Sequence, residues 1–376
     1  MSTPRLRRAT PDRAGLDPDA LAQLVCGVRA LHRGPRPWCA GSVVLAGRGP
    51  VIAVEEAAGW ALRYAAHDPE TGSGVELPRE QWQPMRPGTP FDLASLTKLF
   101  TAITAVQQLE RGTLGIDAPV GAYLPDFHAA DRHRVTVRQL LTHTSGLPPE
   151  IPLYELPTPA DRLAALRAQE PVGPPGVHLY SDLNPLLLQH LLERLTRRPL
   201  DVLVREGITR PLGMTATGFG RRPGAAATED QRRPWAKVDR GLLRGEVHDE
   251  NAWALGGVAG HAGLFSTAGD LAVLCRTLLS GGAYGTARIL GTDFTELLLR
   301  PPGLGFLVDQ PWFMGELAGR GAAGHTGFTG TSLVLDRATD TFLVLLANTV
   351  HPRRPEGGAS SEPRARAATH LARAVR

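Results

Sequence analysis

What most restricts the fold of this chain is where its strand-like text falls: near both ends, with a long helical stretch between. GSVVLAGRGPVIAVEEAAG, from Gly41 to Gly59, reads as a β-hairpin turning at Gly47 to Pro50. SLVLD and TFLVLLAN, between Ser332 and Asn348, read as two further strands split by the polar turn RATD. Asp17 followed by Pro18 is a helix start, with Leu21, Leu24, Val25, Val28 and Leu31 as its buried stripe, and the Arg/Ala-rich tail from Glu362 to Arg376 reads as a closing helix. From Phe91 to about Arg300 the text is mostly helical, as in LNPLLLQHLLERL and AGDLAVLCRTLL. The expected architecture is α+β: an antiparallel sheet built from the N- and C-terminal segments, 1–90 and 301–376, flanked by helices, with 91–300 inserted as a mostly helical domain. A cleft between the two parts is the natural place for a site.

Composition narrows the function classes. The chain has 376 residues, 42% hydrophobic and 21% charged, which suits a soluble globular protein able to bury a large core. Its net charge is +4, but the arginine clusters at Arg5 to Arg8, Arg221 and Arg222, Arg232 and Arg233, and Arg353 and Arg354 are scattered and lack interleaved aromatics. They read as solvated surface, so no nucleic-acid partner is expected. Cys26, Cys39 and Cys275 are odd in number and without metal spacing, which points to reduced thiols. With neither a signal peptide nor a membrane span in view, the expected compartment is the cytoplasm, without a membrane partner.

The chemistry begins at FDLASLTKLFTAI. Lys98 is one of only two lysines, the other being Lys237, against a combined Lys and Arg count of 41. Arginine cannot replace a lysine that must lose its proton, because the guanidinium stays charged at any working pH. Leu96, Leu99, Phe100, Ile103, Val106 and Leu109 recur at helical intervals, predicting an amphipathic helix buried on one side. Residues three apart share a helix face, which brings the Lys98 amine near the Ser95 hydroxyl. A helix starting at about Ser95 also favours negative charge beside the serine. From the spacing alone, a capping serine with a snorkelling lysine is an equal reading.

Two further segments offer a proton shuttle and oxyanion donors. GVHLYSDLNP holds Tyr180, Ser181, Asp182 and Asn184, and GAAGHTGFTGTS holds His325, Thr326 and Gly327. HDENAWALGGVAGHAGLF gathers His248, Asp249, Asn251 and His261 around glycines, either as a cleft loop carrying His261 and Asn251 or as a tight turn capped by Asp249 and Asn251. The spacing of His248 and His261 matches no zinc pattern, so no metal is expected. His128 and His133 read as solvated loop residues, His143 as a structural histidine, and Trp312 and Phe313 as core or pocket wall. Gly-x-Ser-x-Gly, nucleotide-binding fingerprints and Cys-x-x-Cys are absent, leaving no cofactor to propose.

Ser-x-x-Lys, then Tyr-Ser-Asp, then His-Thr-Gly, in that order, resembles the serine β-lactamase and penicillin-binding-protein superfamily. LLTHTSGLP, RPLGM and GGVAGHAGLFSTAGDLA extend the resemblance to its class C-like branch, which also holds D-aminopeptidases, DD-peptidases and family VIII-type esterases. The resemblance implies a β-lactamase/transpeptidase-like fold and an acyl-enzyme on Ser95. It further implies Lys98 as base or proton relay, Tyr180 as the group that activates water and protonates the leaving atom, and the N–H groups of Ser95 and Phe328 as the oxyanion hole. His325, Thr326 and Gly327 would line the pocket. Two departures stand out: Asp182 where the family has Asn, and His325 where it has Lys. Asp182 near Lys98 would raise the amine's pKa; otherwise Asn184 would do the asparagine's work. His325 is expected to titrate near neutral pH, which weakens recognition of a β-lactam or D-Ala carboxylate. The expected activity is therefore that of a serine hydrolase acting on a small-molecule ester, amide or peptide, more esterase- or peptidase-like than β-lactamase, with an acyltransferase or a ligand-binding pseudoenzyme as alternatives.

Overall fold

A computed structural model describes residues 3–34, 37–127 and 133–376. The hairpin Gly41–Arg48 and Val51–Leu62 pairs directly with the C-terminal strand Thr341–Ala347, so the two ends of the chain meet in one sheet. Across the sheet the order is Arg7–Arg8, Val51–Leu62, Gly41–Arg48, Thr341–Ala347, Ser332–Asp336, Ala323–Thr326 and Leu307–Val308. All neighbours are antiparallel except the first pair. A short strand, Gln83–Pro84, also pairs with Val51–Leu62.

The period-2 alternation of the central strands sorts their side chains between two apolar layers. Val44, Ala46, Leu343 and Leu345 meet the helices Pro18–Ala30 and Glu362–Ala374. Val43, Leu45, Val344 and Leu346 belong to the core shared with the helices Thr97–Glu110, Leu183–Thr196 and Ala268–Leu279. Asp17 caps its helix through bonds from Asp19 N and Ala20 N, and Leu21, Leu24 and Val28 form the buried stripe.

The helix carrying Lys98 departs from expectation. Every residue from Thr97 to Leu109 is buried, so the helix is the centre of the helical half and not an amphipathic surface element. Its polar residues are satisfied internally: Thr101 donates to Gly260 O, and Gln107 to Gly207 O and Ile289 O. The stretch 91–300 also contains short strands, including Phe91–Asp92, which pairs with Leu264–Ser266, and the hairpin Ala227–Gln231 with Gly241–Arg244.

Candidate active site

Ser95 lies in the single 3-10 turn Ala94–Leu96 that opens into Thr97–Glu110. The residue before it, Ala94, has φ of 46°, in the left-handed region that costs a non-glycine roughly 1–3 kcal/mol. Asp92 holds that turn by accepting the Ala94 N–H at 2.8 Å. The opposite wall is the strand Ala323–Thr326 and the turn after it, strapped to the Ser95 segment by Thr329 Oγ1 on Asp92 O (2.8 Å) and Thr331 Oγ1 on Leu93 O (3.0 Å). Gly327 permits this approach, since a Cβ there would stand 2.4 Å from Leu93 O.

Lys98 is 2% exposed; its ammonium donates to Ser95 Oγ (2.7 Å) and His261 O (3.2 Å) and lies 2.8 Å from Asp182 Oδ1. The contact with Asp182 is an ion pair set off the alignment of a hydrogen bond. Burial disfavours the charged amine, but Asp182 and the Tyr180 oxygen outweigh it and raise the Lys98 pKa above its ordinary value. Tyr180 donates to Ser95 Oγ at 3.1 Å; burial raises its pKa, with Lys98 pulling the other way.

Of the two readings of the Tyr-Ser-Asp segment, the geometry favours Asp182 facing Lys98. Asn184 is turned away and fully buried, its Oδ1 accepting from Ser145 Oγ at 2.6 Å and its Nδ2 lying 3.1 Å from His143 Nδ1. His143 also accepts the Ser181 N–H (3.1 Å) and stacks on the Tyr180 ring with centroids 4.6 Å apart. Desolvation, then the Lys98 charge, holds His143 well below the usual range, so this histidine is a neutral support for the tyrosine.

His325 corrects the expectation of a group titrating near neutral pH. Burial, followed by the nearby Lys98 charge, pushes it down to about 4, and its Nδ1 lies 2.7 Å from Thr326 O. The permanent cation lining the same cavity is Arg364, which sequence reasoning missed. It is 5% exposed, donates to Gly327 O at 3.2 Å and is lowered to about 10 by burial. The cavity is about 560 Å3, with Ser95, Tyr180, Trp312, His325, Phe328 and Arg364 among its walls. A second cavity of about 450 Å3 shares His178, Leu307, Gln310 and His325 with it. Trp312 is half exposed at the rim whereas Phe313 is fully buried, so the two aromatics divide the roles considered for them.

The segment His248–Asn251 is at once loop and brace, each residue holding a different part of the chain. His248 Nε2 lies 2.8 Å from Glu229 Oε2; Asp249 Oδ1 lies 2.9 Å from His261 Nε2 and caps a helix through Ala252 N. Glu250 pairs with Arg354, and Asn251 bonds Tyr154 N and Ile151 O. Thus His261 backs Lys98, while Asn251 is tied to the 151–154 loop. Arg354 and Glu229 escaped sequence reasoning because nothing in their own neighbourhoods marks them; the RR pair at Arg353 and Arg354 reads as surface. Among the described residues Asp182, Asp249 and His261 bring ligand atoms within 4.8 Å of one another, as a metal site would, but the Lys98 ammonium already lies against Asp182 and the His261 carbonyl. His128 lies outside the described residues, and His133 is exposed beside Glu170 (2.7 Å).

A family model described as beta-lactamase matches residues 41–364. The chain belongs to the beta-lactamase family. Among relatives of this beta-lactamase-family chain, a protein of Escherichia coli (strain K12), provisionally named a D-alanyl-D-alanine carboxypeptidase, is 34% identical over 304 residues, 70% of each chain. The N-acetylmuramyl-L-alanine amidase of Bacillus subtilis (strain 168) is 32% identical over 319 residues, 74% of this chain and 72% of the other. In fold, the chain matches EstCE1, a hydrolase with promiscuous acyltransferase activity, at a TM-score of 0.70 and 24% identity, covering 94% of this chain and 98% of that one. A class C beta lactamase from Rhodobacter sphaeroides matches at 0.69 and 23%, with the same coverage. At the superfamily level the beta-lactamase-family chain is thus a serine hydrolase. Among its described residues no helix is long and apolar enough to cross a membrane.

Proposed function

We propose that this protein hydrolyses an ester or amide bond of a small substrate through an acyl-enzyme on Ser95. The observation that carries the reading is the convergence of two proton-handling groups on one hydroxyl: Lys98 Nζ at 2.7 Å and Tyr180 Oη at 3.1 Å from Ser95 Oγ. Lys98 is held as an ammonium beside Asp182 and so has no lone pair to offer; once the Lys98–Tyr180 pair has released one proton to solvent, Tyr180 is the acceptor of the Ser95 proton and Lys98 the cation beside its phenolate. Attack then forms the Ser95 Oγ–acyl bond, and Tyr180 returns the proton to the departing oxygen or nitrogen. Water, deprotonated by the same tyrosine, releases the acid and frees the serine. The Phe328 N–H, which is given to no acceptor among the described residues, and the Ser95 N–H serve the oxyanion.

The substrate class rests on cavity chemistry and on the relatives' names. Arg364, buried without a carboxylate against it among the described residues, favours a substrate bearing an anionic group, and half-exposed Trp312 and Phe328 favour an apolar or ring-bearing portion. Carboxypeptidase and amidase relatives fit a peptide or amino-acid amide, and a small ester meets the same geometry. A reducing compartment, the cytoplasm, belongs to this reading, supported by three unpaired cysteines.

The test is intact-mass spectrometry after exposure to an alkyl fluorophosphonate and to p-nitrophenyl butyrate, alongside Ser95→Ala. A single adduct and ester turnover in the wild type, both lost in the variant, are expected. A folded wild type with neither overturns the proposal in favour of ligand binding without catalysis.

A further inference from the structure

We infer that Asp249, paired with His261, is a positioning residue that sets the pH at which the Lys98–Tyr180 pair can accept the Ser95 proton. The inference rests on the acyl-enzyme reading above. Three observations support it. First, Asp249 lies within reach of the Lys98 charge, which is among the causes that lower its carboxyl: its carboxylate lies within 4.8 Å of the Asp182 carboxylate, which itself contacts Nζ at 2.8 Å. Two carboxylates so close repel each other unless a cation holds them, so both bind the Lys98 proton more tightly than either alone. Second, His261 joins the two layers, giving its backbone carbonyl to Nζ at 3.2 Å and its Nε2 to Asp249 Oδ1 at 2.9 Å. Its ring is 1% exposed, and Nδ1 has no partner among the described residues, so the ring is held by Asp249 alone. Third, the capping work of Asp249 is separable from its charge. It accepts Ala252 N at 2.8 Å, a bond that Asn provides equally well.

The groups that face the pair come from every packed element. Asp182 and Tyr180 lie before the helix Leu183–Thr196, and His143 stacks on Tyr180 from the 142–147 turn. His325 faces it from the strand Ala323–Thr326, Asp249 from the cap of the short helix Glu250–Ala254, and His261 from the glycine-rich loop. Both His143 and His325 are neutral, Asp182 contacts the ammonium directly, and the Lys98 charge in turn helps to lower the Asp249 carboxyl. Lys98 and Tyr180 titrate as one unit that must lose a proton before it can take one from serine. Removing the Asp249 charge lets that proton leave at lower pH.

The experiment follows the rate of Ser95 modification by an alkyl fluorophosphonate, a neutral probe, across pH in the wild type, Asp249→Asn and Glu250→Gln. In Asp249→Asn the midpoint of the rising limb should move down by about one pH unit. Glu250→Gln removes a carboxylate one residue away that faces Arg354, and its midpoint should stay at the wild-type value. An unchanged midpoint in folded Asp249→Asn, or an equal shift in Glu250→Gln, overturns the inference while leaving the nucleophile assignment intact. Absence of Ser95 labelling in the wild type at every pH overturns both. If Asp249→Asn does not fold, Asp249→Ser, also a good cap, carries the same expectation.

Discussion

Two buried charge clusters lie on either side of His248–Asn251, and they are built from similar parts to opposite effect. One sets Lys98 against Asp182, Asp249 and His261; the other sets Arg354 against Glu229, Glu250 and His248. In the second, Arg354 reaches Glu229 through its backbone N–H (3.0 Å) and Nε (2.8 and 2.9 Å), and reaches Glu250 through Nη2. Burial disfavours the Glu229 carboxylate, but His248 and Arg354 outweigh it and hold it down at about 2. In the first, Asp182 Oδ1 and His261 Nδ1 are buried without a hydrogen-bond partner among the described residues, and the cation is shared with a serine hydroxyl. A guanidinium that keeps its proton at any working pH can only brace; an ammonium cluster that shares its cation with a serine hydroxyl can exchange a proton.

The sharpest way to break the contrast is to swap the cations. Lys98→Arg should lower the rate of Ser95 acylation by ~1000-fold or more, because a guanidinium neither fits the three-way contact nor shares a proton with Tyr180. Arg354→Lys should leave that rate within about tenfold of wild type, since it touches the brace and not the reacting atoms. Stopped-flow or mass-spectrometric acylation rates at one pH decide both. Comparable losses in the two variants would mean that the clusters form one functional unit.

Stability should rank them the other way. Arg354→Met leaves Glu229 buried without its main partner, and loss of one member of a buried ion pair costs about 3–5 kcal/mol. Urea denaturation should show a lower midpoint with an unchanged slope. Activity of the molecules that remain folded should be nearly retained.

Phe328 is where the Arg354 cluster meets the cavity. Its ring packs between His248, with centroids 5.6 Å apart, and the Arg354 guanidinium at 5.5 Å. Phe328→Ala keeps the backbone N–H but releases the clamp that orients it, so kcat/KM for an ester should fall about tenfold, mostly in kcat, with little change in Tm. A change confined to KM would make the ring a substrate contact only.

How much of this was written legibly in the sequence depends on the range of the interaction. Ser95 and Lys98 stand three apart, and the hairpins and capped helices are local, so periodicity and turn residues were enough to place them. The order of Tyr180 and His325 along the chain was legible only through a resemblance. Asp182 was flagged because it broke a pattern, and its contact with Lys98 follows from the side on which the Tyr180 loop enters. The brace was not legible: Glu229 and Arg354 are separated by 125 residues, and an arginine in a polar tail looks solvated until a buried carboxylate is found against it. The burial of Thr97–Leu109 on all sides was missed for a related reason. Its apolar stripe predicts one buried face, yet Thr101 and Gln107 are buried too because they bond distant backbone carbonyls such as Gly260 O and Gly207 O.

The smallest expected effect concerns acid. His325 and His351 are both buried and pushed down to about 4, mainly by desolvation. In the unfolded chain such groups take up a proton near their ordinary value of 6.5, so between pH 6.5 and 4 the unfolded state binds more protons and stability falls with pH. Glu229, the buried carboxylate of the brace, is silent in that window, because it gives way only as pH falls from 4.5 toward about 2. Acid loss should therefore come in two stages, the first from the buried histidines and the second from the brace. His325→Gln should flatten the decline of Tm between pH 6.5 and 4 by a few degrees and leave the lower stage untouched, with differential scanning calorimetry at stepped pH as the measurement. If His325→Gln leaves the slope above pH 4 unchanged, the decline there belongs to the other buried histidines, His143 and His351, and His325 in the cavity wall is not the group that weakens the fold first.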